Sequence, residues 1–157
     1  MTGWRLGYIG APKSIAASCS KVQGQFTSGT CSITQKAAIA AMEADPGILK
    51  DMITAFKGRR ALVLNALEEI PGIKTNHPGG AFYVFPDCSS YFGKSHGNHT
   101  IKNASDLCLY LLEESLVALV TGDAFGDPNC FRISYAASEE TLIEAMRRIK
   151  HALSKLK

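Results

Sequence analysis

Apolar residues recur most regularly at the far end of the chain, where Leu142, Met146, Ile149, Leu153 and Leu156 keep one helical seam. Ser138 stands ahead of that seam with Glu139 and Glu140, and Arg147, Arg148, Lys150, Lys155 and Lys157 load its other end. A capping hydroxyl, acids in the first turn and bases in the last all suit the helix dipole, so a helix is predicted from Ser138 onward. Just before it the period shortens to two. Phe131, Ile133 and Tyr135 point one way and Arg132 and Ser134 the other, which predicts a strand with one buried face.

At the beginning, Trp4, Leu6, Tyr8 and Ile9 predict a strand inside a sheet, stopped by Gly10-Ala11-Pro12. It carries Arg5 between Gly3 and Gly7, which leave room for a ligand or another backbone. Pro12 suits a helix start, with Ile15, Cys19 and Val22 at helical spacing, and the polar, glycine-punctuated run 24–30 predicts a loop. Ser32 and Gln35 have the spacing of a capping box before the alanine-rich run 36–44.

Asp45-Pro46 pairs an N-cap acid with a proline at the first helical position. Leu49, Met52, Ile53, Phe56, Val63, Leu64 and Leu67 then hold one face up to Pro71-Gly72. Such a helix is a rod of roughly 36 Å at about 1.5 Å per residue, long enough to connect two bodies. Gly58 and the pair Arg59-Arg60 interrupt its stripe and allow a bend.

Shorter elements follow. Ala81 to Phe85 predicts a strand behind Pro78-Gly79-Gly80, and the polar run 88–103 predicts a long loop, a mobile or functional insert. A largely apolar, buried helix is expected from Ser105 through Ser115, and a strand over Leu116 to Val120 before the loop Gly122–Gly126. The pattern as a whole is α/β.

Composition narrows the possibilities. A net charge of +3 without a basic stripe argues against nucleic acid. No apolar run approaches the length of a membrane span, and no signal-peptide pattern opens the chain. The five cysteines are scattered and odd in number, the usage of reduced thiols, so a cytoplasmic protein is expected. His96 and His99 lack a third metal ligand and read as solvated loop residues, and no metal site is expected. Gly3, Gly7 and Gly10 do not have dinucleotide spacing, and no nucleophile motif is present.

Two arginines remain as candidate chemistry. Arg5, on an apolar strand, requires an anion or a carboxylate, which a structural salt bridge would supply as well as a ligand. Arg132, with apolar neighbours on either side, presents a planar fork suited to a carboxylate, or to an ordinary ion pair.

The residues around them resemble a known family. Met1-Thr2-Gly3-Trp4-Arg5-Leu6-Gly7-Tyr8 resembles the Lys-x-x-x-Met-Thr-Gly-Trp-Arg-x-Gly-Tyr motif of class I, fold-type I aminotransferases, which use pyridoxal 5'-phosphate. Gly79 to Phe85, Val117 to Gly126 and Phe131 to Ala136 resemble three further segments of the same family in the same order. Thr121 stands where proline is commoner, which puts loop rigidity in doubt.

The resemblance, closest to aspartate aminotransferases, implies a carboxy-terminal portion: residues 1–45 the end of the large cofactor domain, 46–70 a long interdomain helix, 71–157 an α+β small domain. It implies that Arg5 binds the cofactor phosphate and Arg132 the carboxylate of the amino-acid or 2-oxo-acid substrate. The complete enzyme would be a homodimer. The family's Schiff-base lysine would fall before Met1, so no catalytic residue is expected in this chain, no covalently held cofactor, and no activity from it alone. Two other readings stay open here: an effector-binding domain of a transcription regulator, and a non-catalytic truncated product.

Overall fold

A computed structural model describes Met1 and residues 3–157. The chain divides into two compact units, Met1–Lys50 and Asp51–Lys157.

The first unit is helical. Its opening residues form a turn, with the Trp4 N–H donating to the Met1 carbonyl at 3.1 Å and Arg5 at a φ of 55°, and then run on in an irregular path. The expected buried strand is therefore absent, and Trp4, Tyr8, Ile9 and Arg5 are exposed. A strand exists through its ladder partners, and no strand is present among the described residues of this unit to pair with it.

Helix α1 (Lys13–Phe26) starts after Pro12 as expected but runs through Gly24 into the predicted loop. Helix α2 (Ser32–Glu43) takes Cys31 as its N-cap, so Ser32 lies inside the helix and the capping box is not made. The Gln35 side chain instead donates to the Thr30 carbonyl at 2.7 Å. Asp45 does cap the next turn, its carboxylate accepting from the Gly47 N–H at 2.9 Å. Thr34 is the one buried side chain described here, so the apolar residues of this unit make no core of their own.

The second unit holds the core. Helix α3 (Lys50–Glu68) runs unbroken through Gly58-Arg59-Arg60 and buries Val63, Leu64 and Leu67. Strands β1 (Tyr83–Val84), β4 (Val120–Thr121) and β5 (Phe131–Ser134) form an antiparallel sheet in the order β1-β5-β4. Its inner face, Val84, Phe131 and Ile133, joins one apolar cluster with residues of α3, of α4 (Ala104–Ser115) and of α5 (Glu139–Ser154). The α5 helix follows its sequence pattern: Ser138 accepts from the Thr141 N–H at 3.2 Å, and Leu142, Met146, Ile149 and Leu153 are buried.

Three expectations are corrected in this unit. The supposed mobile loop 88–103 contains a hairpin of β2 (Ser95–His96) and β3 (His99–Thr100), turned at Gly97 with a φ of 55°. Both histidine rings lie edge-on to Tyr110, with centroids at 6.0 and 5.4 Å, and buried Ile101 anchors the segment. The α4 cap is Asn103, accepting from the Asp106 N–H at 2.9 Å, and Leu109 and Leu112 face outward at 51% and 45% exposure. The strand expected at Leu116 begins only at Val120, because Leu116 takes a left-handed φ of 56° to end α4.

Candidate functional site

The outer face of the three-stranded sheet carries the candidate chemistry. On β5 the side chains alternate, so Phe131 and Ile133 enter the core while Arg132 and Ser134 turn outward. The β1–β5 register sets Tyr83 opposite Ser134, and the β4–β5 register sets Val120 opposite Arg132. Tyr83 and Arg132 therefore share a face.

The Arg132 guanidinium carbon lies 4.3 Å from the Tyr83 ring centroid and 4.1 Å from that of Phe125. Tyr83 also meets Phe82, with ring centroids 4.4 Å apart. Phe85 meets Phe125 edge-on at 6.3 Å. Among the described residues no acid forms an ion pair with Arg132. A half-buried guanidinium without an acidic partner, gripped by two rings, offers its edge to a carboxylate.

Phe125 reaches that position on a tight 3-10 turn, Gly122–Phe125, closed by Gly126 at a φ of 88°. The Gly122 N–H donates to the Cys130 carbonyl at 2.8 Å. A Cβ on Gly122 would stand 2.1 Å from the Asp127 carbonyl oxygen and 2.4 Å from that of Cys130. Close backbone approach, not an unusual φ, requires glycine there. The turn is also tied to α4: Thr121 donates to the Asp123 carboxylate at 2.8 Å, and Ser105 donates to Thr121 at 3.0 Å and to Asp123 at 3.3 Å. This network supplies rigidity where the proline of the resembling motif is missing.

Beneath the sheet edge, Phe56 of α3 meets Phe82 and Tyr135 at 6.3 and 6.2 Å. The Tyr135 hydroxyl donates to the Ala81 carbonyl at 3.0 Å, and the Arg60 guanidinium donates to the Pro78 carbonyl at 2.8 Å. Those bonds hold the turn ahead of β1, where Ala81 adopts a φ of 59°. Arg59, which the sequence shows only as a break in the stripe, lies 5.5 Å over Phe56. Its Nε is buried without a hydrogen-bond partner.

Arg5 belongs to the first unit, exposed in the opening turn. Burial pushes the Cys88 thiol up to about 12 and those of Cys108 and Cys130 up to about 11, so none is a nucleophile near neutral pH. His99 Nε2 lies 3.5 Å from Glu113 and 3.7 Å from Glu114, and His96 shares a hydrogen bond with Tyr110. Among the described residues no His, Cys, Asp and Glu side chains are arranged to hold a metal ion, and no helix is long and apolar enough to cross a membrane. A hollow of about 590 Å³ lies between α5 and the segment 116–119, and Arg132 does not line it.

The family model for aminotransferase class I and II matches residues 1–149. The chain belongs to that family. It is 52% identical over 161 residues to a bifunctional aspartate aminotransferase and glutamate/aspartate-prephenate aminotransferase of Petunia hybrida, covering 100% of this chain and 34% of the relative. It is 45% identical to an aspartate aminotransferase of Pinus pinaster, covering 98% of this chain and 32% of that one. The crystal structure of the aspartate aminotransferase from Rhizobium meliloti matches with a TM-score of 0.85 at 44% identity, over 100% of this chain and 40% of that chain. The fold is that of a fold-type I aminotransferase fragment, and the chain spans about a third of the length of the curated relatives it matches. These relatives carry enzyme names, which favours the enzyme reading over the regulator. The family implies pyridoxal phosphate as cofactor.

Proposed function

We propose that this chain is the carboxy-terminal portion of an aspartate aminotransferase-like enzyme that moves an amino group between an amino acid and a 2-oxo acid. The observation that carries the reading is Arg132: an outward guanidinium packed against Tyr83 and Phe125, with no acid paired to it among the described residues. Within the complete protein, residues 1–45 finish the large cofactor domain, 46–70 form the interdomain helix and 71–157 the small domain. The complete protein is a cytoplasmic homodimer.

The residues present fit part of a pyridoxal phosphate site. Arg5, exposed in its turn, has a fixed fork of N–H donors that suits a phosphate, and it holds that end of the cofactor. When bound, the cofactor supplies the electron sink that lets an amino group leave one carbon skeleton and join another. Arg132 accepts the substrate carboxylate in a bidentate pair and so fixes the orientation of the carbon that exchanges its amino group. Since both the amino acid and the 2-oxo acid bear that carboxylate, one arginine serves both halves of the reaction. This chain contributes binding and orientation, with no residue assigned to proton transfer, and it does not transaminate alone.

The test is Arg132→Lys in the complete protein, assayed with aspartate and a 2-oxo acid. Losing the bidentate pair while keeping a positive charge costs about 2–3 kcal/mol, so kcat/KM should fall roughly a hundredfold for both substrates. An unchanged kcat/KM for both would sink the assignment.

A further inference from the structure

We propose that Tyr83 and Phe125 are positioning residues that hold the Arg132 guanidinium in place for a carboxylate. The proposal rests on the reading of Arg132 as the carboxylate-binding group and adds how that group is held.

The argument begins with the shape of the cation. Guanidinium donors all lie in one plane, so a ligand can reach them only around the edge. Ring centroids at 4.3 and 4.1 Å pack Tyr83 and Phe125 against that cation, and among the described residues no acid is ion-paired to it. Both rings also restrict an otherwise flexible side chain, so part of the ordering cost of binding is met before the ligand arrives.

The two rings come from distant parts of the chain, and each has its own support. Tyr83 is fixed by the β1–β5 register opposite Ser134, next to Arg132 on the same strand. Phe125 is backed by Phe85, and its turn is tied to α4 through Thr121, Asp123 and Ser105. Asp123, two residues before Phe125, receives the Thr121 and Ser105 hydroxyls and is not ion-paired to Arg132. Hydrogen bonds to the turn thus serve the site through ring placement, which makes Thr121 and Ser105 its indirect supports.

The experiment uses the full chain with nitrogen-15-labelled arginine, the Arg132 Nε–Hε resonance being assigned by its loss in Arg132→Lys. In the wild-type protein this resonance should be shifted upfield by the two rings and should move on titration with acetate. The double variant Tyr83→Leu/Phe125→Leu should lose the shift and bind acetate about tenfold more weakly, since holding one long side chain contributes on the order of that factor. Tyr83→Phe keeps the ring and should match wild type in both readouts. Should the double variant not fold, Phe125→Leu alone, at a ring that is 48% exposed, gives the same readouts at about half the effect on a logarithmic scale. A wild-type resonance without an upfield shift, or ring removal without loss of acetate affinity, overturns the positioning role and leaves the Arg132 assignment standing. Acetate binding that survives Arg132→Lys overturns both.

Discussion

Replacing Gly122 by alanine is expected to destabilise the Asp51–Lys157 unit by about 3–4 kcal/mol, summing an overpacking penalty and two weakened hydrogen bonds. The new Cβ would meet the Asp127 carbonyl oxygen at 2.1 Å and the Cys130 carbonyl oxygen at 2.4 Å, both backbone atoms that no rotamer change can withdraw. Relief requires moving the turn away from β5. That movement strains the Gly122 N–H to Cys130 bond at 2.8 Å and the Asp127 N–H to Gly122 bond at 3.3 Å. For a unit of this size each kcal/mol shifts the midpoint by about 4–8 °C, so thermal unfolding followed by circular dichroism should fall by roughly 15–25 °C. The first unit has almost no core, so the cooperative transition reports on the second. Since the same turn carries Phe125, the Arg132 resonance should lose part of its ring-induced shift in the variant. A midpoint within about 3 °C of wild type would show that the turn has slack the structure does not show, and the rigidity assigned to it would be withdrawn.

The same substitution at Gly58 should act in the opposite direction. A Cβ there meets only Glu139 Oε1 at 3.8 Å, an ordinary contact, so Gly58→Ala should add about 0.5–1 kcal/mol by helix propensity; a lower urea midpoint would contradict this. Hydrogen bonds from Arg147 and then Arg148 hold the Glu144 carboxyl down from 4.5 to about 2. A depressed carboxyl stabilises the fold above its unfolded value and loses that contribution as pH falls through the folded one. Glu144→Gln should therefore flatten the loss of stability between about pH 5 and pH 2 in urea titrations, and an unchanged slope would remove Glu144 from the account. Among the thiols, exposed Cys31 is held below its ordinary value by the backbone N–H groups of Thr34 and Ile33. It should be alkylated well before Cys88 and Cys130 under limiting iodoacetamide at pH 7.5, as read by peptide mass spectrometry; equal rates would contradict the burial described.

Local chemistry was legible wherever the neighbours that decide it are close in sequence. The Ser138 cap and the α5 seam depend on residues within a turn or two and formed as their patterns predict, while Asp45 caps a 3-10 turn, Pro46–Leu49, ahead of an α-helix that starts only at Lys50. Alternation on Phe131–Ser134 likewise placed Arg132 on the outer face. Two of the misreadings share one cause. Trp4 to Ile9 has the composition of a buried strand, yet composition cannot supply a ladder partner, and the segment is an exposed turn and coil. His96 and His99 look like solvated loop residues until the Tyr110 ring, more than ten positions away, is brought beneath them.

By itself the sequence determined the family, the capped α5 helix and the candidate arginines, because motif order, capping and periodicity are properties of neighbours along the chain. Only the tertiary structure decided what surrounds Arg132. Tyr83 and Phe125 lie far apart in sequence, and the Ser105, Thr121 and Asp123 network joins a helix to a turn beyond it. Neither contact has a local signature. Each exists because β5 is paired on both sides, which brings strands from separate stretches of the chain within reach of one guanidinium.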